Sequence, residues 1–528
     1  MSDDLVASVL VRSARLVPVG AAATAPDAPV DVRITDGAIT AVGPHLARAA
    51  GEEVLEAQGR WAVPGLWDHH VHMGQWAATF GRLDVSAAAS AAAALDLVAA
   101  ALVGRAARSR PGAPSGPNGA DGPGGPSAPL VGFGFRDALW ADRPSLAALD
   151  AVAAGTPVVL ISGDVHCGWV SSAARALLGL PGGVDDDGLV RETPWFEALP
   201  RLAALPGTAP DEGYREALTG AAARGVVGVV DLELAPNHRA WPERIGRGLD
   251  QLRVRTGVYA DHLEDVLAWE IRTGVPLLGS RGLVTMGPLK IITDGALNTR
   301  TAHCRAPYPV PGDPAHPHGV QAVPPAELEH LLHRATEGDI AVAVHAIGDA
   351  AVGHALAAFA ATGARGSVEH VQLVSPEDVA AMARLGVVAS VQPAHLLDDR
   401  DVAEQVWAGR TGRAFAYRDL LDAGVTLALG SDAPVAALDP WLAMAAAVHR
   451  SGDDRAPWHP EQQLTPAQAL AASTDGRGTL AVGSVGDIAL LDADPLAPAA
   501  TTAEAAARLR AMPVAATVLA GRVTHDAR

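Results

Sequence analysis

Between Val63 and Met73 the chain reads VPGLWDHHVHM, placing three histidines in four positions directly after an apolar run. Burying an imidazole costs free energy unless its ring nitrogens find partners, so the cluster needs a chemical reason. In an extended strand successive side chains alternate faces. His70 and His72 then share one face, while His69 and Val71 take the other. Two imidazoles one residue apart on a common face can chelate a single metal ion. A pair of hydrogen-bonded core histidines is the competing reading of this motif alone.

Elements that could position such a pair follow along the chain. Apolar runs recur as TPVVLIS, GVVGVVDLE, GPLKIIT, IAVAVHAIG, GVVASVQP and VTLALGSD, separated by alanine-rich helical stretches. Short all-apolar strands alternating with helices are what a parallel sheet buried on both faces requires. The number of runs favours a closed (β/α) barrel over an open doubly wound sheet. In a barrel the C-terminal strand ends converge on one mouth. Read in order, those ends carry His70 and His72, then Lys290, His345, His370 and Asp432. Each has a plain alternative: Lys290 could snorkel at a strand edge, His345 and His370 could be structural, and Asp432 could cap a helix. Together they make the ligand inventory of a two-metal hydrolytic site.

The remaining pattern narrows the function classes. Lys+Arg 40 against Asp+Glu 59 gives a net charge of −19, which repels phosphate backbones and anionic lipid, so neither a nucleic-acid nor a membrane partner is expected. The N-terminal MSDDLVASVLV lacks a basic region of the signal-peptide kind. The most apolar stretch, SAAASAAAALDLVAAALVG, contains Asp96 and reads as an amphipathic helix of a soluble protein. Two cysteines, Cys167 and Cys304, give no disulfide framework, and a cytoplasmic location fits. Alternating runs joined at Asp36-Gly37, and again at Ala520-Gly521, predict hairpins at both ends of the chain that meet in one small sheet domain. Residues 108–129 are almost purely Gly, Pro, Ala and Ser and predict a surface loop without a core of its own.

The ordered set resembles the amidohydrolase superfamily: HxH after a first strand, a mid-chain lysine, two single histidines and a late aspartate. More narrowly it is similar to the branch of N-substituted formamide deformylases and YtcJ-like proteins. The residues carrying this likeness are KIITDGALNTRTA from Lys290 with Tyr308, VHAIGDAAV around His345, VEHVQL around His370, VQPAH ending at His395, and GSDAPVAALDP from Gly430. GDVHCGWVSS around His166 and Trp169, GLVRE ending at Glu192, LTPAQALAAST and GDIALLDADP complete it. The chain departs from the family in having His69 at a usually small polar position, and in lacking a lysine ahead of GDIALLD.

The resemblance implies a (β/α)8 TIM-like barrel over 65–474, including an insertion, and a small β-sandwich built from 1–64 and 475–528. It implies His70 and His72 on one zinc-like ion with Asp432 beside it. Lys290, carboxylated to a carbamate, would bridge to a second ion held by His345 and His370. A site with one ion is the simpler version, and zinc, iron and manganese all suit these donors. Asp432 becomes the general base, and His166, Trp169, Glu192, Asp294 and His395 become candidates for substrate binding. The implied reaction is hydrolysis of a non-peptide C–N bond in a small-molecule amide or N-substituted formamide, by a chain that could pair as a homodimer. The alternatives are a cyclic amidase or a deaminase on the same barrel, the mid-chain lysine speaking against the deaminase, and a non-catalytic binding protein, against which the full ligand set speaks.

Overall fold

The computed structural model describes residues 8–20, 23–108, 129–180, 187–205, 211–310 and 312–528. The Gly/Pro-rich segment expected to be a loop falls outside them, apart from its two end residues. Eight parallel strands form the central sheet: β1 (Leu66–Val71), β2 (Val226–Asp231), β3 (Arg253–Val258), β4 (Val284–Ile292), β5 (Val342–Ala346), β6 (Gly366–His370), β7 (Val388–Val391) and β8 (Leu427–Leu429). Each pairs with its sequence neighbour among the eight. The ring closes just past β8, where Asp432 N donates to His70 O at 2.7 Å and His72 N to Ala433 O at 2.8 Å. Helices such as Asn237–Gly246, Pro325–Glu337, Asp349–Thr362 and Pro376–Leu385 pack outside. β2 and β5 are buried along their whole length, which is why VVGVVD and VAVHA read as unbroken apolar runs.

One expected barrel strand lies elsewhere. TPVVLIS forms Val158–Ser162 in a separate five-stranded sheet inserted between β1 and β2, beside Leu130–Phe135 and Cys167–Val170. Both of its faces are covered: Val158 and Leu160 pack with Leu149, and Val159 and Ile161 with Ala174 and Leu178. A strand buried on both faces has the same sequence pattern whichever sheet it joins. The barrel instead uses RVRTGV as β3, whose outward Arg253 and Arg255 broke the apolar run. Arg253 pairs with Asp487 at 2.8 Å, and Arg255 with Asp475 at 2.6 Å, tying β3 to the C-terminal segment.

The two chain ends share one sheet. Strand Val9–Leu16 pairs with Val30–Thr35 and Trp61–Pro64, and the latter pairs with Ile488–Leu491. The hairpins turn where expected, with Asp36 and Gly37 at φ 50° and 75° and Ala520 and Gly521 at φ 50° and 87°. Two consecutive positive φ values are those of the turn that matches strand twist. Val9, Val32, Ile34, Ile488, Leu490 and Val518 form the shared core. Both cysteines are free and buried. No described helix is long and apolar enough to cross a membrane.

Gly430 lies where β8 passes β1, and a Cβ there would fall 2.7 Å from His70 N and 3.0 Å from Asp68 Oδ1. Gly430→Ala is therefore expected to part the two strands at a cost of about 1–3 kcal/mol. Thermal unfolding should show a lower Tm, and metal analysis weaker retention. An unchanged Tm would show that the strands yield freely.

Candidate metal centre

At the C-terminal end of the barrel β1 directs His70 and His72 inward, and His69 outward toward Asp475, its Nε2 lying 3.8 Å from Oδ1. Strand alternation assigns the three rings as the sequence suggested. His70 is fully buried, and its Nδ1 lies 2.7 Å from Glu369 Oε2. That carboxylate assigns the proton to Nδ1, leaving the Nε2 lone pair facing Lys290 Nζ at 3.2 Å and Asp432 Oδ1 at 3.5 Å. His72 Nε2 is 3.3 Å from the same oxygen. His70, His72 and Asp432 thus bring their ligand atoms within 4.8 Å of one another.

His370 sits between the other rings, with centroids 4.8 Å from His70 and 4.5 Å from His345. His345 Nε2 faces Gly295 O at 3.3 Å and Asp294 Oδ1 at 3.4 Å, which assigns the proton there and leaves Nδ1 as the lone-pair nitrogen. His370, His395 and Asp432 form a second cluster within the same 4.8 Å span. The backbone is strained where these groups stand: His370, Val371 and Asp432 have φ of 72°, 46° and 60°. Such conformations are rare outside glycine, above all for a β-branched residue, and concentrate at functional sites.

The electrostatics suit a cation. Burial first, then the Lys290 charge, pushes His70 down to about 4, and burial with the neighbouring imidazoles takes His370 well below its usual range. The rings are therefore neutral near pH 7 and available as ligands. Burial acts to raise Asp432, but the surrounding imidazoles outweigh it and hold the carboxyl well below its usual range. Lys290, 2% exposed, is lowered chiefly by burial. His72 Nδ1 and His370 Nδ1 are buried without a hydrogen-bond partner. Neutral imidazoles and a carboxylate, converging with unsatisfied nitrogens, fit a divalent transition ion.

A cavity of about 40 Å³ lies on these residues, walled by Phe196, Leu199 and Leu234. It continues into an outer cavity of about 150 Å³ that reaches Arg136, Asp164, Leu297, Gln372, His395 and Asp399. His166 lines both parts. Its Nδ1 is 2.9 Å from Glu192 Oε2; burial opposes the charged ring, but Glu192 prevails and moves it up to about 9. Glu192 stands behind the wall, held by the hydroxyls of Thr299 at 2.9 Å and Thr301 at 2.6 Å.

Besides Glu192, two candidates for substrate binding do not line the cavity. Trp169 is wholly buried in the inserted sheet's core with Leu160 and Leu189, an apolar ring that strand alternation turned inward. Asp294 does not line the cavity, since its oxygens accept N–H bonds from His303 at 2.8 Å, Gly348 at 2.9 Å and Ile347 at 3.0 Å. Glu369, Gln372 and Asp399 were missed from sequence. Glu369 stands directly across from His345 on β6, a register that only the folded sheet sets.

Residues 53–525 match the family model described as the amidohydrolase family. The chain belongs to the amidohydrolase family. As a member it is a metal-dependent hydrolase acting on non-peptide carbon–nitrogen bonds. It is 32% identical over 263 residues to YtcJ of Bacillus subtilis (strain 168), an alignment spanning 46% of this chain and 48% of that protein. It is 25% identical over 516 residues to the N-substituted formamide deformylase of Arthrobacter pascens, spanning 88% and 90% of the two chains. The solved structure of a metal-dependent hydrolase from Pyrococcus horikoshii OT3 shares the fold, with a TM-score of 0.73 at 22% identity over 93% of this chain and 99% of that one.

Protein purified with zinc and without chelator is expected to hold at least one divalent ion per chain, and the double variant His70→Ala/His72→Ala to lose it. Glu369→Gln keeps the shape but removes the charge that polarises His70. Competition with a chromophoric chelator should then show metal affinity about 10–100-fold weaker. Metal-free native protein under those conditions would overturn the assignment.

Proposed function

We propose that this chain hydrolyses a linear non-peptide amide, with an N-substituted formamide as the model substrate, and releases an amine. The observation that carries the reading is the convergence of His70, His72 and Asp432 beside Lys290 and His370 at the floor of a cavity with an apolar wall. His70, His72 and Asp432 would hold a divalent ion, zinc foremost, which would supply a water acidic near neutrality and polarise the scissile carbonyl. Asp432 Oδ1 faces the two imidazoles while Oδ2 turns toward His395 at 3.8 Å. Oδ2 takes the water's proton and delivers it to the leaving nitrogen. His166, held by Glu192, binds the substrate at the mouth, and Phe196, Leu199 and Leu234 exclude bulk water.

Lys290 needs a chemical change to join the ligands, because an ammonium does not bind a cation. The lowered pKa leaves more of the neutral amine that reacts with carbon dioxide, yielding a carbamate and a proton. That carbamate, with His345 and His370, would hold a second ion.

Assay of an amide and formamide panel for amine release tests the reaction, and its absence across the panel with metal-loaded protein would sink it. Asp432→Asn is expected to fold, since asparagine tolerates the left-handed φ of 60° at this position. Turnover should fall about 10²–10⁴-fold in the metal-loaded variant, because the amide cannot take a proton. Lys290→Ala should lose activity and regain part of it when a short carboxylic acid is added with metal. Electron density for a bare amine in a fully active, fully loaded crystal would exclude the carbamate.

A further inference from the structure

The outer cavity has a charge pattern that hydrolysis does not account for. Asp164, Asp398 and Asp399 line it, against one guanidinium, Arg136, already paired with Asp398 at 2.8 Å. The only other charged cation among its described lining residues, His166, is taken by Glu192. Asp164 and Asp399 therefore face the cavity with no cation of their own. Asp164 Oδ1 accepts from Ser162 at 2.5 Å and from His166 N at 3.1 Å, whereas Oδ2 is buried without a partner. A carboxylate oxygen in that state costs free energy that a ligand's N–H or positive charge recovers.

Gln372 is an independent witness. It is 3% exposed, its Nε2 donates to Asp399 Oδ2 at 3.2 Å, and its Oε1 is buried with no partner. With Nε2 engaged by Asp399 and, at 3.5 Å, by His395 Nδ1, the atom this lining residue leaves without a bond is an acceptor. Acceptors thus dominate this end of the cavity. Asp399 also shows strain: burial first, with Asp398 and Asp164 adding to it against the help of Arg136, pushes its carboxyl up to about 7. Elsewhere the lining is mainly apolar, with Ala138, Leu297, Ile347 and Val402, and it includes the Asn298 amide. A cavity of about 150 Å³ accepts a group the size of benzene.

Resting on the amidase reading above, we infer that the substrate carries a protonated amino or guanidino group, separated from its scissile amide by a short apolar spacer. Asp164, Asp399 and the Gln372 carbonyl receive that group, while the spacer lies against Leu297, Ile347 and Val402. Recognition by unpaired acceptors gives strong selection, because a ligand lacking the donor leaves them buried and unsatisfied.

Matched substrates test the inference: N-(ω-aminoalkyl)formamides against N-alkylformamides of equal length, with ω-carboxyalkyl analogues as a third arm. The metal-loaded enzyme is expected to favour the aminoalkyl series in kcat/KM by at least about tenfold, as expected where a site built to bond a polar group meets an analogue lacking it. Asp164→Asn and Asp399→Asn should each shrink that ratio, mainly through KM, and raised salt should shrink it in the native enzyme. Equal rates, or preference for the alkyl or carboxyalkyl series, would overturn the inference while leaving the amidase reading intact. Should no amide be cleaved, calorimetry with free α,ω-diamines and alkylamines still decides. Tighter diamine binding that Asp399→Asn weakens supports the cation site, and indistinguishable binding refutes it.

Discussion

The bonds that close the barrel are the bonds that set the spacing of the candidate ligands. Asp432 N donates to His70 O, and His72 N to Ala433 O, so the first and last strands hold both imidazoles and the carboxylate in one hydrogen-bonded frame. Ligands separated by some 360 residues in sequence become neighbours through two backbone contacts. Asp68, buried beneath His70, strengthens the same seam: its Oδ1 accepts from Ser431 N at 2.9 Å and His70 N at 3.1 Å. The left-handed φ of Asp432 turns its side chain back over the seam, a conformation the surrounding bonds must impose.

Around that frame the interior spends stability on function. Lys290, Glu369, His370 and Asp432 are all nearly inaccessible, yet several of their polar atoms have only one another, or nothing, as partners. A cation bound there would neutralise the carboxylates and fill the open lone pairs, which would link metal loading to folding stability. Glu369 does two things at once: it fixes the His70 tautomer and supplies negative charge beside Lys290.

The inserted sheet supplies what the barrel lacks. A bare barrel mouth would leave the candidate ligands facing solvent. The insertion brings His166 with its Glu192 partner, the Phe196 and Leu199 wall, and the Asp164 carboxylate over them. Its attachment to the barrel is polar at the site itself, through Glu192 to Thr299 and Thr301 on the loop after β4. The wall of the cavity and the loop that leads away from Lys290 are thereby positioned together.

By itself the sequence determined which candidate residues stand at the strand ends, their order and the parity of the first strand. His70 and His72 share a face because alternation is a local property, and the terminal hairpins turn at Asp36-Gly37 and Ala520-Gly521 because positive φ is a local preference. The barrel followed from many buried runs, although which runs belonged to it did not. TPVVLIS and VVGVVD look alike because each is covered on both faces, and coverage is a property of neighbours. Trp169 and Asp294 show the same limit, since whether a side chain meets a cavity, a core or a set of backbone N–H groups depends on what packs against it. Only tertiary structure could pair Glu369 with His70, Glu192 with His166 and Gln372 with Asp399. Those partners lie 299, 26 and 27 residues apart, and no periodicity in the chain encodes a contact made across strands and insertions.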